Sequence, residues 1–142
     1  MPFFRTISTF AWILLIYVLM YIAPEIIDGI PKFNVDTVIY EHLLRGAKRH
    51  AMLKITIKDF FILLGMLALL MEIYKAATSK QFNNLESIFS IMIAVFYLIL
   101  FISQPFAHNS LFLILTLMAF IDGIGGFMIE TNSARRDIMI GG

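Results

Sequence analysis

No cysteine occurs anywhere in the 142 residues. That absence removes disulfides, thiolate-held metals, iron–sulfur clusters and a cysteine nucleophile, and it leaves the redox compartment unmarked. Only three histidines are present, His42, His50 and His108, and all lie outside the long apolar stretches. A haem or di-metal site in the middle of a helical bundle is therefore not expected. No glutamate has a histidine three residues on, the spacing that a carboxylate di-iron bundle uses. The chain also lacks a P-loop, a dinucleotide glycine fingerprint, a nucleophile elbow and a zincin helix. With a net charge of +1 it has no extended basic face for nucleic acid. The expectation is a non-enzyme with no cofactor and no bound metal.

What the chain has in abundance is apolar surface. Hydrophobic residues make up 60% of it and the mean hydropathy is +0.86, whereas soluble domains are about half apolar. A water-soluble fold of this size would expose much of that surface, but lipid accepts it. Read in windows of about 19 residues, the apolar text divides into four spans, at about 6–23, 59–76, 86–104 and 110–131. The fold class expected is all-α, a single integral membrane four-helix bundle. The first span follows Arg5, as a signal peptide would. Its apolar core is long and aromatic, however, and "APEIIDGIP" is a poor cleavage site, so it reads as a retained span.

Charge decides sidedness weakly. Arg5, Lys75, Lys80, Arg135 and Arg136 fall on one side and Lys32, Arg45, Lys48, Arg49, Lys54 and Lys58 on the other. Arg5, Lys75, Arg135 and Arg136 sit close to span ends, and the segment after span one is acidic, with Glu25 and Asp28. Both termini are therefore placed in the cytoplasm. The loop 24–58 is too long for a turn, and "VDTVIYEHLLRGAKRHAML" has helical periodicity. It predicts an amphipathic helix that either lies on the bilayer with Arg45, Lys48 and Arg49 toward lipid or packs as a solvated helix on the span ends.

The chemistry worth following is a set of carboxylates at membrane depth. Asp122 lies about twelve residues into span four, near the expected midplane, where an ionised aspartate costs about 2.5 to 3.5 kcal/mol. It must face the bundle, be protonated or be paired. Glu72 ends span two, Glu86 begins span three and Glu130 ends span four, so alternation of the helices puts all three on the cytoplasmic side. Lys75 is three residues from Glu72 and available as its partner. Gly123 and Gly126 follow Asp122, and Gly65 lies in span two. Such small residues let membrane helices approach closely. Three readings stay open: a tight helix crossing around one protonated or hydrogen-bonded acid, a proton or cation carrier at Asp122, and a contact surface for another membrane protein. In span three, Ser90 and Tyr97 are seven apart and share a face. The connector "SQPFAHNS" stops one helix at Pro105 and caps the next at Asn109 or Ser110.

From Lys54 onward, "KITIKDFFILLGMLALLMEIYKAATSK", "SLFLILTLMAFIDGIGGF" and the closing "SARRDI" resemble a group of small proteobacterial membrane proteins of four predicted spans. That group ends in a similar Asp-containing span followed by Ala-Arg-Arg-Asp. The resemblance covers roughly 54–138, with Glu72, Asp122 and Ala134 to Asp137 as its most specific positions; Gly123 departs from it, where a bulkier residue is expected. It implies a bacterial inner membrane and a cytoplasmic C-terminal end, but no reaction. Independently, Arg135 and Arg136 suit lipid phosphates or a docking partner. The function expected is that of an accessory or assembly subunit of a larger inner-membrane complex, in contact with lipids and with other subunits or with itself. The alternative is a homo-oligomeric small transporter or proton channel that uses Asp122.

Overall fold

The computed structural model describes residues 8–43, 52–78 and 84–140. Four helices and one two-stranded ribbon follow one another as α1 (Thr9–Ile26), β1 (Val38–Leu43), β2 (Met52–Thr56), α2 (Ile57–Thr78), α3 (Asn84–Ser103) and α4 (Ser110–Ile140), with a 3-10 turn at Pro105–Ala107 before α4. Each helix is long and apolar enough to cross a membrane. The last two also run further than their apolar windows require: α4 continues about ten residues, roughly 15 Å, past the window that ends at Ile129.

Local chemistry sets the helix starts. Ser8 is the N-cap of α1, its hydroxyl accepting from the Phe10 amide at 3.3 Å. Thr56 and Asp59 cap α2 reciprocally: the Thr56 hydroxyl accepts from the Asp59 amide at 3.3 Å, and the Asp59 carboxylate accepts from the Thr56 amide at 2.9 Å and from its hydroxyl at 2.8 Å. This is a capping box with aspartate in the acidic position. Pro105 follows the end of α3, and the side chain of Asn109 accepts from the Phe112 amide at 3.0 Å to start α4.

The buried stripes follow helical spacing. α1 turns Phe10, Ile13, Leu14 and Tyr17 inward, and α2 turns Phe61, Gly65, Ala68 and Glu72. α3 contributes Ser87, Ser90, Ala94 and Tyr97, and α4 Leu111, Phe112, Leu115, Thr116, Ala119 and Asp122. Where α2, α3 and α4 meet, small inward residues, Gly65 and Ala68 on α2, Ser87, Ser90 and Ala94 on α3 and Ala119 on α4, alternate with large ones, and α4 packs most closely along α3 and then along α2. α1 stands further off because Phe10 and Tyr17 fill the space between. Tyr17 meets Phe33, Phe61 and Phe112 edge-on, with ring centroids 5.3 to 5.6 Å apart.

Among the described residues, the loop helix expected within 24–58 does not form. The described residues form an antiparallel ribbon in which Tyr40 stands opposite Ile55 and Glu41 opposite Lys54, with a bulge between Val38 and Tyr40. The run Thr37-Val38-Ile39-Tyr40 explains the difference. β-branched and aromatic side chains lose rotamer freedom in a helix and suit a pleated surface, and that local preference outweighs the helical spacing of the apolar positions. Arg45, Lys48 and Arg49, assigned to the polar face of that helix, lie outside the described residues.

The glycines differ in what surrounds them. A Cβ on Gly123 would stand 3.0 Å from the Ile91 amide nitrogen and 3.1 Å from its Cα, so backbone meets backbone there. One on Gly65 would come within 2.9 Å of Leu115 Cδ2 and Met118 Sδ, both side-chain ends that can move. One on Gly126 would meet nothing within 4 Å, so the close crossing expected at that position is absent. Gly123→Ala should therefore destabilise the protein by about 1–3 kcal/mol through overpacking, Gly65→Ala by less, and Gly126→Ala hardly at all. Thermal unfolding of the detergent-solubilised variants gives the ranking, and equal stability of Gly123→Ala and Gly126→Ala would contradict the α3–α4 contact.

Candidate functional site

At the end of the bundle where α1 begins, polar side chains from all four helices meet. Ser8 and Thr9 come from the start of α1, Glu72 and Lys75 from the end of α2, Glu86, Ser87 and Ser90 from the start of α3, and Asp122 from α4. Residues from Glu72 to Gly126 enclose a cavity of about 20 Å³, lined by Glu72, Lys75, Ala76, Glu86, Ser87, Ser90, Asp122 and Gly126. That volume holds about one water molecule. Gly126, which has no helix against it, is part of the cavity wall.

Two carboxylates reach deepest. Asp122 is 6% exposed; its Oδ2 accepts from the Ser8 hydroxyl at 3.0 Å, and Ser90 donates a second side-chain hydrogen bond. Glu72 is 7% exposed; its Oε1 accepts from the Thr9 amide at 2.7 Å and the Thr9 hydroxyl at 2.6 Å, while Oε2 faces Lys75 Nζ at 3.4 Å. Lys75 also pairs with Glu86, so one ammonium bridges two helices. Both of these outer groups are partly exposed, at 27% and 22% of their side chains. The cavity thus grades from a solvent-facing ion pair to an enclosed acid.

Among the described residues, Asp122, Glu72 and Glu86 gather around the one base Lys75, and dipoles meet the remaining charge. The free amides of the first turn of α1, together with its macrodipole, put partial positive charge against Glu72. Hydroxyls do the same for Asp122. No buried side-chain polar atom among the described residues lacks a partner, as a low-dielectric interior demands.

The opposite half of the bundle is closed. Tyr17, Tyr97, Phe61 and Phe112 are all at most 1% exposed. The Tyr97 hydroxyl donates to the Phe10 carbonyl at 2.9 Å, and that of Tyr17 donates to the Phe106 carbonyl at 3.1 Å while accepting from Asn109 Nδ2 at 2.9 Å. His108 stacks on Phe101, with centroids 5.3 Å apart, at the connector.

Of the acids singled out in the sequence, Asp122, Glu72 and Glu86 are brought together; the side chain of Glu130 lies outside the described residues, as do those of Arg135 and Arg136 on the long α4. Asp122 is level with the N-cap of α1 rather than with the middle of the bundle, because α4 extends past the start of α1. Sequence reasoning missed Ser8 and Thr9, which hold the two buried acids. The signal was present as a Ser-Thr pair at the start of an apolar run, an N-terminal cap signature, but their partners are 114 and 63 residues away. Among the described residues no group of three or more His, Asp and Glu is placed to hold a metal. Comparison of the chain with protein-family models, curated proteins and solved structures finds no match.

This arrangement predicts coupling between helices. Lys75→Met should destabilise more than Glu86→Gln, since the first leaves two carboxylates without their cation and the second only weakens one pair. The double variant should recover part of the loss, with a coupling energy of about 0.5–3 kcal/mol, toward the low end because the pair is part-exposed. Additive losses in unfolding experiments would show that Lys75 does not bridge α2 and α3.

Proposed function

We propose that the protein is a non-enzymatic, four-span integral protein of a bacterial inner membrane that serves as an accessory or assembly subunit of a larger complex. The observation that carries this reading is the outward distribution of apolar surface. In each of the four helices only 22 to 33% of the apolar window is buried inside the bundle, so most of it is left for lipid and neighbouring helices. The inner-membrane location and cytoplasmic termini rest on the resemblance through Ala134 to Asp137 and on the cations near the span ends.

A second reading, a homo-oligomeric proton or ion carrier, is favoured by the acidic cavity, with Asp122 as its inner acid and Glu72 and Glu86 toward the mouth. Against it stands the aromatic half of the bundle. Tyr17, Tyr97 and Phe112 fill the interior between the cavity and the other end, so a single chain supports binding at one face better than passage across. A conduit would have to form between copies.

Gentle purification of the tagged protein from its native membrane, followed by mass spectrometry of what remains bound, tests the choice. The accessory role predicts a fixed set of other subunits in stoichiometric amount, and no proton or cation flux in vesicles from either the purified protein or Asp122→Asn. Recovery of a homo-oligomer alone, with a flux that Asp122→Asn abolishes while the fold survives, would establish the carrier instead.

A further inference from the structure

Where its side chains are described, the ribbon between α1 and α2 has two unlike faces. By its register Tyr40, Ile55 and Leu53 share one face, and Glu41 stands opposite Lys54 on the other, where their side chains pair at 3.5 Å. Tyr40 and Leu53 are 52% and 50% exposed, and Val38 and Ile39 beside the bulge are exposed as well. The ribbon's one substantial contact with a helix is its junction with α2.

Neither bulk water nor hydrocarbon suits such a ribbon. Two strands with an uncovered apolar face are marginal in water. A two-stranded pair also turns amides and carbonyls outward along both edges, and hydrocarbon does not satisfy such groups. The headgroup and glycerol region of a bilayer meets both demands, because it accepts apolar side chains on one side and supplies water and phosphate on the other.

The attachment of the ribbon sets it at that depth. The Ile57 amide donates to the Thr37 carbonyl at 3.0 Å and the Lys58 amide to the Val35 carbonyl at 2.8 Å, fixing the ribbon's base to the first turn of α2. Phe60, exposed and apolar, follows directly, and at the same end of the bundle α1 finishes in exposed Ile26 and Ile27. The ribbon thus adjoins exposed apolar residues at the end of the surface that the four-span reading gives to lipid. Tyr40 is an amphipathic residue suited to the interface, and the long stem of Lys58 lets its ammonium group reach phosphates.

The geometry points to the ribbon as an interfacial anchor, its Tyr40–Leu53–Ile55 face seated in the phospholipid headgroup region and its Glu41–Lys54 face toward water. This inference rests on the membrane reading, and the experiment separates the two. The protein is reconstituted in phosphatidylcholine vesicles with or without bromine on the upper acyl chain, and tryptophan emission is measured. Native Trp12, within α1, reports on embedding. In a Trp12→Phe background, Tyr40→Trp, Leu53→Trp and Lys54→Trp report on the two ribbon faces.

The anchor predicts blue-shifted emission that bromolipid largely quenches for Tyr40→Trp and Leu53→Trp, and much weaker quenching for Lys54→Trp. Emission at both apolar-face positions that resists bromolipid overturns the anchor. Acrylamide then distinguishes a ribbon in water, which it quenches, from one covered by protein, which it does not. If Trp12 itself is not quenched by bromolipid, the membrane reading fails and the anchor with it; quenching at Trp12 alone removes only the anchor.

Discussion

The bundle depends on how the first turn of α1 is held. Its free amides and its Ser-Thr hydroxyls are donors without partners in their own helix, and two carboxylates from other helices accept from them: Glu72 from Thr9 and Asp122 from Ser8. Elsewhere α1 meets the bundle through Phe10, Ile13, Leu14 and Tyr17, with hydrogen bonds at the Phe10 carbonyl and the Tyr17 hydroxyl. The polar clasp adds a charged anchor that fixes the vertical position of α1 against α2 and α4. It also explains why the acids sit where they do. A carboxylate in an apolar bundle needs several donors, and a helix start offers a cluster of them together with the positive end of a dipole.

The clasp and the glycine crossing are complementary. Gly123 brings α4 against the backbone of α3 at Ile91, and Asp122, its neighbour, is thereby presented to Ser90 on α3 and Ser8 on α1 at once. Close approach on one side of α4 makes hydrogen-bonded contact possible on the next. Lys75, bonded to both Glu72 and Glu86, ties the ends of α2 and α3 together around the same point. Every helix therefore contributes to one polar junction, while the rest of the interior is mainly rings, aliphatic side chains and small residues.

Much of this was legible in the sequence, and what was not has a physical cause. The four apolar helices follow from composition and length, and the gathering of Glu72, Glu86 and Asp122 follows from counting spans. The ribbon was misread because apolar residues at helical spacing were weighed above the β-branched run from Thr37 to Ile39, and short amphipathic segments satisfy both periods. Gly126 was paired with Gly123 because both are small and close in sequence. Only packing reveals that the one faces a backbone and the other a cavity. Ser8 and Thr9 escaped notice because a cap signature announces a helix start without naming a distant acceptor.

The distribution of polarity along the bundle bears on what such a protein can do. A conduit needs polar groups, or at least removable side chains, from face to face, whereas here, among the described residues, the buried acids and serines gather at one end, Thr116 bonds back to its own helix, and Tyr17, Tyr97, Phe61 and Phe112 fill the rest. The hydroxyls of Tyr17 and Tyr97 are engaged with the carbonyls of Phe106 and Phe10, so rotating either ring aside would cost a buried hydroxyl its acceptor. Opening a path through one chain would thus break the contacts that hold α1. The same geometry suits a binding role better, since the partly exposed Lys75–Glu86 pair can be engaged from outside without disturbing the enclosed Asp122 and Glu72.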